Sequence, residues 1–332
     1  MIKNPPAAFR FAVLACLLAI PDRTWAQPAS PAPGDTRIAQ WKDDKKAAFM
    51  MMFDDCCPSH VTNVYPELQK RKMTGTFYVV PNKPERLARA AFWEKEAPAS
   101  PYVVYGNHTL NHRAFTDAAN AEEEIVGCNE FILRLMPGKN PRLISYATPG
   151  GAKHATTSDE IKAIAAKHNL VIRPPFQGHG GGIHFKTGAD ILKAVDKAVA
   201  AGSSEYVIFH GVGGDWLSFD GAQFVALLDG LETRRSEVWI TDPISQYKYE
   251  TGRDAARTRV LKTGSKEIRL ALDCSVDPAL YDQPLTLVTR VDAAWKRCRV
   301  TQGKETSVMP VQAAEVRYEA LPGTEIVLTA AD

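Results

Sequence analysis

From about residue 47 to residue 240, short apolar runs alternate with longer stretches in which apolar residues recur every three or four positions. The apolar runs predict β-strands, and the periodic stretches between them predict helices. Predicted strands cover residues 47–53, 76–80, 102–105, 143–147, 170–172, 206–209 and 238–240. Predicted helices cover residues 61–72, 84–96, 121–136, 158–168, 190–201 and 221–231. Buried strands that alternate with helices indicate a parallel α/β fold of the barrel kind, with its site at the carboxyl ends of the strands.

The pattern changes near residue 255, where helical stretches stop. Short strand-like runs follow at residues 259–262, 268–272, 285–291, 316–318 and 325–328. Glycine, proline and charged residues separate these runs. The sequence therefore predicts two parts, an α/β domain over residues 43–252 and a small all-β accessory module over residues 256–332.

Residues 1–26 have the features of a cleavable secretory signal. Lys3 and Arg10 precede the apolar run 11–20, which is too short to span a bilayer as a helix. A lipoprotein anchored through Cys16 is the minor alternative, and no other segment is long and apolar enough to cross a membrane. We therefore expect a secreted or periplasmic protein.

Composition and charge narrow the choice of partners. Hydrophobic residues make up 45% of the 332 residues and charged residues 23%, as in ordinary globular proteins. Three basic side chains and one acidic side chain within residues 1–26 account for the formal net charge of +2. The rest of the chain sums to zero and has no basic patch, which argues against a nucleic-acid partner. Residues 27–42 begin with a stretch rich in proline, alanine and serine and predict a flexible leader.

Five cysteines remain after the predicted cleavage, so at least one of them has no partner within the chain. Cys274 and Cys298 could pair within the β module, and Cys56 or Cys57 could pair with Cys128 if the fold brings them together. The alternative is that all five are reduced and buried. No CxxC pair is present, which argues against a zinc site made of thiolates.

Two pairs of polar residues directly follow predicted strands. Asp54 and Asp55 end the first apolar run, and His108 and His112 come just after the third. Asp55 could simply cap a helix, and the histidines could lie on the surface. Histidines four residues apart, however, can share one face of a helical turn and one metal ion. Two imidazoles and one carboxylate are a known ligand set for catalytic zinc, although other divalent metals accept it too.

His210 ends the predicted strand 206–209, and four residues rich in glycine, 211–214, follow it. Glycines permit tight turns and the close approach of a ligand. Asp215 could orient His210, as carboxylates often do for a working imidazole. The alternative is a histidine that only caps the strand. The stretch 178–182 predicts a flexible loop and is not a dinucleotide-binding fingerprint, because no helix follows at the required spacing.

Taken in order, these motifs resemble those of the polysaccharide deacetylases, carbohydrate esterase family four. The resemblance covers roughly residues 45–250 and implies a distorted (β/α) barrel. Four motifs carry it: Phe53-Asp54-Asp55, His108-Thr109-Leu110-Asn111-His112, Tyr146-Ala147-Thr148-Pro149-Gly150-Gly151 and Val207-Ile208-Phe209-His210.

The resemblance implies a role for each motif residue. The metal, zinc first and cobalt, nickel or manganese as alternatives, would be held by Asp55, His108 and His112. Asp54 would be the general base, His210 the general acid, and the backbone N–H of Gly150 an oxyanion donor.

Further residues are expected to bind substrate or to support the base. Trp216, beside His210, is the candidate platform for a sugar ring, and Tyr146 and Pro149 are further candidates for substrate binding. The family usually has an arginine where this chain has Ala147, and Arg173 could supply that charge. Asp215-Trp216 matches the residue types of a fourth family motif but follows His210 instead of preceding it.

The predicted function is that of a secreted, metal-dependent carbohydrate deacetylase that releases acetate from a poly- or oligosaccharide. An O-acetyl esterase of the acetylxylan type, using the same site, is one alternative. A catalytically impaired glycan-binding protein is another, with Trp295 of the β module as a candidate sugar contact or a core residue. The oligomeric state stays open.

Overall fold

The computed structural model describes residues 32–331, which belong to one compact unit. The predicted signal peptide and Cys16 lie outside these residues. Within residues 32–331, no helix has both the length and the apolar character needed to cross a bilayer.

The described residues contain fifteen strands, eight α-helices, one 3-10 helix (Lys42–Asp44) and two π-helical turns (His60–Val64 and Phe92–Glu96). The strands are β1 (Thr36–Ile38), β2 (Ala47–Asp54), β3 (Gly75–Val79), β4 (Val103–Asn107), β5 (Ile144–Tyr146), β6 (Leu170–Ile172), β7 (Ser204–Phe209), β8 (Val238–Thr241), β9 (Ala256–Thr263), β10 (Glu267–Cys274), β11 (Leu285–Arg290), β12 (Arg297–Gln302), β13 (Glu305–Gln312), β14 (Glu315–Ala320) and β15 (Ile326–Ala331). The helices are α1 (Tyr65–Arg71), α2 (Pro84–Leu87), α3 (Ala97–Ala99), α4 (Ala118–Leu135), α5 (Ser158–Lys167), α6 (Gly188–Ala201), α7 (Gly221–Glu232) and α8 (Pro243–Ala255).

Strands β2 to β8 form a parallel sheet that curves into a half-barrel. Their order is β6-β5-β4-β3-β2-β7, and β8 also pairs with β2. Every pairing among them is parallel, so their carboxyl ends meet at one edge. The predicted α/β fold, a distorted barrel with a C-terminal all-β module, is confirmed.

Strand β2 is buried along its whole length and divides the interior. Its odd-numbered side chains, such as Phe53, pack in the large core under the helices. On the opposite face, Met52 packs with Tyr78 and Ile208 in a small cluster inside the half-barrel. Because side chains alternate along a strand, Asp54 lies on the same face as Met52. The strand therefore directs an acid to the open end of the half-barrel.

The β module includes a strand from the segment that the sequence predicted to be a flexible leader. The antiparallel order is β1-β11-β14-β13-β12-β15-β10-β9, and β1 pairs with residues Leu287 to Thr289 of β11. Trp41 is buried and donates a hydrogen bond from Nε1 to the carbonyl of Gly202, at 3.1 Å. The prediction of a flexible leader is therefore wrong for residues 36–42. Trp295 is a core residue, buried and hydrogen-bonded to the carbonyl of Ser265.

Two helical regions differ from the sequence prediction. The stretch 84–96 is broken into the short helix α2 and a π-helical turn, Phe92–Glu96. Helix α8 was not predicted, although the signals for its start are present. The carboxylate of Asp242 accepts hydrogen bonds from two backbone amides of its first turn, and Pro243 occupies its first position.

All five cysteines of the described chain are free thiols. Cys56 Sγ accepts a hydrogen bond from the Val80 N–H, whereas Cys128 Sγ donates to the Val79 carbonyl. In a trans peptide these two groups point in opposite directions, so the sulfurs lie on opposite sides of one peptide. The alternative of five reduced cysteines is the one found, but Cys274 is only half-buried, whereas the other four are buried.

Replacement of Trp41 by alanine tests whether the leader is structural. Loss of a buried tryptophan that is 1% exposed should lower the free energy of unfolding by about 3–5 kcal/mol. Val260→Ala, at a residue that is 47% exposed, is the control and should change stability little. Urea unfolding followed by tryptophan fluorescence and circular dichroism measures both. Equal stability of Trp41→Ala and the parent would contradict the structural role.

Candidate active site

The two adjacent acids reach one cavity because the backbone turns sharply where β2 ends. Neighbouring side chains in a strand point to opposite faces, so Asp54 and Asp55 would normally diverge. Asp55 and Cys56 both have positive φ angles, 77° and 52°, in the left-handed region that L residues rarely adopt. Each such residue costs on the order of 1–3 kcal/mol. Both carboxylates line the same cavity as a result.

This cavity has a volume of about 580 Å³ and lies at the carboxyl ends of the parallel strands. Its ionisable wall residues are Asp54, Asp55, His108, His112, Arg173 and His210. Its larger apolar and aromatic wall residues are Tyr146, Ile172, Pro174, Pro175, Phe176, Trp216 and Leu217. A concave, largely apolar site with a few convergent polar groups is typical of ligand-binding cavities.

Asp55, His108 and His112 form the one group of metal-ligating side chains found within residues 32–331. One ligand atom from each lies within 4.8 Å of the others. Asp55 Oδ1 is 3.1 Å from His112 Nε2 and 3.7 Å from His108 Nε2. Burial lowers the pKa of His108 to about 4, so its ring is neutral at neutral pH. His108 Nδ1 lies 2.8 Å from the carbonyl of Ala147, so Nδ1 carries the proton and Nε2 keeps its lone pair.

The donor set fits a divalent metal. Asp55 Oδ1 is buried and accepts no hydrogen bond, which is costly for a carboxylate oxygen. Lys83 Nζ lies 3.2 Å away as a counter-charge. One carboxylate and two imidazoles on the same side of a cavity match the ligands of catalytic zinc and leave positions for water and substrate.

The two histidines lie on an irregular loop after β4, not on the helical turn that their spacing suggested. Thr109 and His112 both have positive φ angles, 67° and 55°. The side chain of Asn107 accepts a hydrogen bond from the Thr109 N–H at 2.8 Å. The carboxylate of Glu124 accepts two hydrogen bonds from Asn111, at 2.8 and 2.6 Å. These bonds hold the loop in the shape that brings both rings to Asp55.

Asp54 is 2% exposed and is paired with Arg173. Arg173 donates two hydrogen bonds to its carboxylate, at 2.5 and 2.6 Å, and its guanidinium lies 4.4 Å from the centre of the Tyr78 ring. Burial alone would raise the pKa of Asp54, but Arg173, with His108 and His210, brings it well below its usual range. Asp54 is therefore ionised, and its orientation is fixed by the arginine fork.

His210 faces the carboxylates across the cavity. Its Nε2 is 4.0 Å from Asp54 Oδ2 and 3.9 Å from Asp55 Oδ2. The ring packs edge-on against Phe176, with centroids 5.3 Å apart, and buried Nδ1 has no hydrogen-bond partner. The backbone carbonyl of His210 lies 2.7 Å from Nε2 of buried His60, which supports the strand end from behind.

Two expected site residues lie elsewhere. Asp215 does not orient His210, because its carboxylate accepts a hydrogen bond from the Ser59 N–H at 2.7 Å. Pro149 is buried and is not part of the cavity wall, and its carbonyl lies 2.9 Å from His154 Nε2. Gly150, in contrast, does line the cavity, as does Tyr146.

Trp216 and Lys83 are both tied to Asp55. Trp216 donates a hydrogen bond from Nε1 to Asp55 Oδ2 at 2.9 Å, and Lys83 Nζ lies 4.5 Å from the centre of the indole ring. Lys83 was not predicted as a site residue, because no neighbouring sequence motif identifies it as one. Phe176, against His210, was missed too, although the Arg-Pro-Pro-Phe run after a strand was visible.

Residues 42–174 match the family model for polysaccharide deacetylase. This segment is a polysaccharide deacetylase domain. It contains both acids, both metal-site histidines and Arg173, and it ends before β7 and His210. The resemblance noted from the motifs is confirmed.

Other known proteins are similar to this chain over different lengths. The alignment with a gellan lyase from Bacillus sp. is 23% identical over a length of 312 residues and covers 82% of this chain. The match spans only 12% of that enzyme's length.

Three solved structures of the deacetylase type are similar to the described fold. An acetyl xylan esterase from Clostridium thermocellum, with a cobalt ion, is 16% identical over 57% of this chain and 86% of its own, with a TM-score of 0.39. A peptidoglycan deacetylase from Bacillus subtilis is 14% identical over 60% and 88%, with a TM-score of 0.38. A family-four pseudoenzyme from Bacillus anthracis is 16% identical over 59% and 64%, with a TM-score of 0.43.

Metal titration of the chelator-stripped protein checks the assignment of ligands. We expect one zinc ion per chain and at least a 100-fold weaker Kd in His112→Asn, because one of three protein ligands is lost. His168→Asn is the matched control, since His168 bonds to Glu122 outside the cavity. Isothermal titration calorimetry gives both values. Equal zinc affinity in His112→Asn and the parent would show that the metal is not held here.

Proposed function

We propose that the protein is a secreted, metal-dependent hydrolase that removes acetyl groups from a carbohydrate and releases acetate. One observation carries the proposal. An ionised carboxylate, Asp54, held by Arg173, lies beside a separate carboxylate–imidazole cluster that fits a metal, and His210 faces both across one cavity. The polysaccharide deacetylase domain of residues 42–174 supports this reading. Secretion rests on the signal-like residues 1–26.

Asp55, His108 and His112 would hold the metal, zinc first and cobalt, nickel or manganese as alternatives. When bound, such a metal polarises a carbonyl group and makes water more acidic. His108 keeps its neutral tautomer through the Ala147 carbonyl, and Trp216 fixes the second oxygen of Asp55. These contacts orient the ligands before any metal arrives.

Asp54 would accept the proton of the attacking water. The paired N–H groups of Arg173 keep Asp54 ionised and prevent it from rotating towards the metal-binding cluster. Arg173 thus takes the place that the family usually gives to an arginine at the position of Ala147. The division between a base and a ligand follows from the different partners of two neighbouring acids.

His210 would donate a proton to the departing sugar nitrogen or oxygen. Its Nε2 lies 4.0 Å from Asp54 Oδ2 and 3.9 Å from Asp55 Oδ2, close to both acids. The backbone N–H of Gly150, on the cavity wall, would stabilise the negative oxygen of the tetrahedral intermediate. Trp216 offers aromatic surface for the sugar, whereas the side chain of Tyr146 is fully buried.

An O-acetyl ester of the acetylxylan type uses the same first steps and differs only in the leaving oxygen. A glycan-binding protein without catalysis is the third candidate. The presence of the base, the acid and the full ligand set in one cavity favours an enzyme.

Acetate release separates these candidates. The zinc-loaded protein is incubated with an N-acetylglucosamine oligomer and with acetylated xylan, each with and without chelator. We expect release from one of them, loss of release with chelator and recovery on addition of metal. Asp54→Asn should lower kcat by about 10²–10⁴-fold while zinc still binds. Undiminished kcat in Asp54→Asn would contradict the proposed base, and no release from either substrate would favour the binding protein.

Substitutions of Arg173 test its positioning role. Arg173→Met should lower kcat by about 10–100-fold with little change in zinc affinity, because the fork that fixes Asp54 is lost. Arg173→Lys keeps the charge but not the two parallel hydrogen bonds, so we expect an intermediate kcat. Steady-state kinetics with the active substrate, alongside zinc titration, give both readings. Full activity in Arg173→Met would rule out this role.

A further inference from the structure

A second groove continues from the candidate active cavity along the outer edge of the parallel sheet. It has a volume of about 450 Å³ and is lined by Leu143, Lys162, Asn169, Ile172, Tyr247 and Tyr281, among others. Ile172 lines both the groove and the active cavity. The two spaces are therefore neighbours that share a wall residue, and a long ligand in one could extend into the other.

The floor of this groove offers backbone hydrogen-bonding groups. Strand β6 is the last strand in the order of the parallel sheet and pairs with β5. Asn169 and Arg173 make their backbone bonds to β5. Because alternate residues of a parallel ladder bond to the same neighbour, the peptide groups of Leu170 and Ile172 face the groove. No strand of the described chain covers this edge.

Two tyrosines form the opposite wall. Tyr247 comes from α8 and is 36% exposed, and Tyr281 comes from the loop between β10 and β11. Their ring centroids are 6.1 Å apart, with the planes tilted by 41°. An aromatic wall opposite polar backbone groups presents both an apolar face and hydrogen-bonding groups to a ligand.

The loop that carries Tyr281 is held in place by charge pairs. Asp282 accepts a hydrogen bond from Lys248 of α8 at 2.7 Å and one from Lys139 at 3.0 Å. The same carboxylate thus joins the loop of Tyr281 to helix α8 and to the loop before β5. Lys162 is the one charged side chain among the residues that line the groove, and it pairs with Asp159 at 2.9 Å, so the groove wall carries little uncompensated charge.

We propose that this groove binds the sugar units of an uncharged carbohydrate chain next to the unit whose acetyl group enters the active cavity. The proposal rests on the proposed function for the identity of that chain. The tyrosine rings would pack against the C–H faces of the sugars, and the peptide groups of β6 would bond to their hydroxyls. The β module then contributes to substrate binding through Tyr281.

Binding of two glycans measures the contribution of the groove. An N-acetylglucosamine hexamer and acetylated xylo-oligosaccharides are titrated by calorimetry into the purified protein. Tyr247→Ala and Tyr281→Ala should each raise the Kd of the bound glycan by about 10-fold. Tyr281→Phe keeps the ring and should bind like the parent. Tyr102→Ala, at a half-buried tyrosine away from both cavities, is the matched control. Thermal unfolding checks that each variant is folded.

A small ester distinguishes this proposal from the proposed function. Hydrolysis of 4-nitrophenyl acetate needs only the active cavity and should be unchanged in the tyrosine variants. Asp282→Ala keeps both tyrosines but removes the charge pairs that hold the loop of Tyr281, and it should also weaken glycan binding. Unchanged glycan affinity in Tyr281→Ala and Asp282→Ala would overturn the proposal of glycan binding in the groove. A parent protein that binds neither glycan, or that dimerises through this edge, would overturn it too. Weakened glycan binding without acetate release from any substrate would uphold the groove and contradict the hydrolase.

Discussion

Two adjacent carboxylates buried at the end of one strand are the constraint on which the site depends. Neither Asp54 nor Asp55 can stay ionised in a buried cavity without a compensating partner. The fold gives each a different one. Arg173 neutralises Asp54 with a bidentate pair, whereas Asp55 has imidazoles, an indole N–H and a lysine whose Nζ is 3.2 Å from Oδ1. Under the proposed function, this unequal compensation would leave one oxygen of Asp55 for a metal and would hold Asp54 ionised as the base.

The half-barrel brings together the residues that this arrangement of charges requires. Parallel strands bring their carboxyl ends to one edge, so residues far apart in sequence, such as Asp54 and His210, meet there. On the same face of β2 as Asp54, Met52 packs with Tyr78 and Ile208 in a buried cluster. At the opposite end, a second core joins the β module and the leader to the bottom of β2. The strained turn at Asp55 is tolerated because both ends of β2 are anchored in this way.

Much of the fold could be read from the sequence, since continuous apolar runs mark buried parallel strands and the residues after them mark the site edge. Arg173 could be predicted on the same reasoning, because it directly follows the predicted strand 170–172. The sequence pattern could not show contacts between residues that lie far apart along the chain. Strand β1 forms because Thr36 pairs with Thr289, and the residues around Thr36 contain no local signal for this pairing. Lys83 reaches Asp55 only because the loop after β3 folds over it. The loop of His108 and His112 was taken for a helical turn because spacing alone does not show positive φ angles.

The central claim is that neighbouring acids have separate duties, one as metal ligand and the other as base. Zinc K-edge X-ray absorption of the zinc-loaded protein tests it most directly, with Asp54→Asn and Asp55→Asn measured alongside the parent. The account predicts nitrogen and oxygen ligands at about 2.0–2.1 Å with scattering from two imidazoles. It predicts the same spectrum for Asp54→Asn and an altered one for Asp55→Asn. An altered spectrum for Asp54→Asn with an unchanged one for Asp55→Asn, or sulfur at about 2.3 Å, would contradict it.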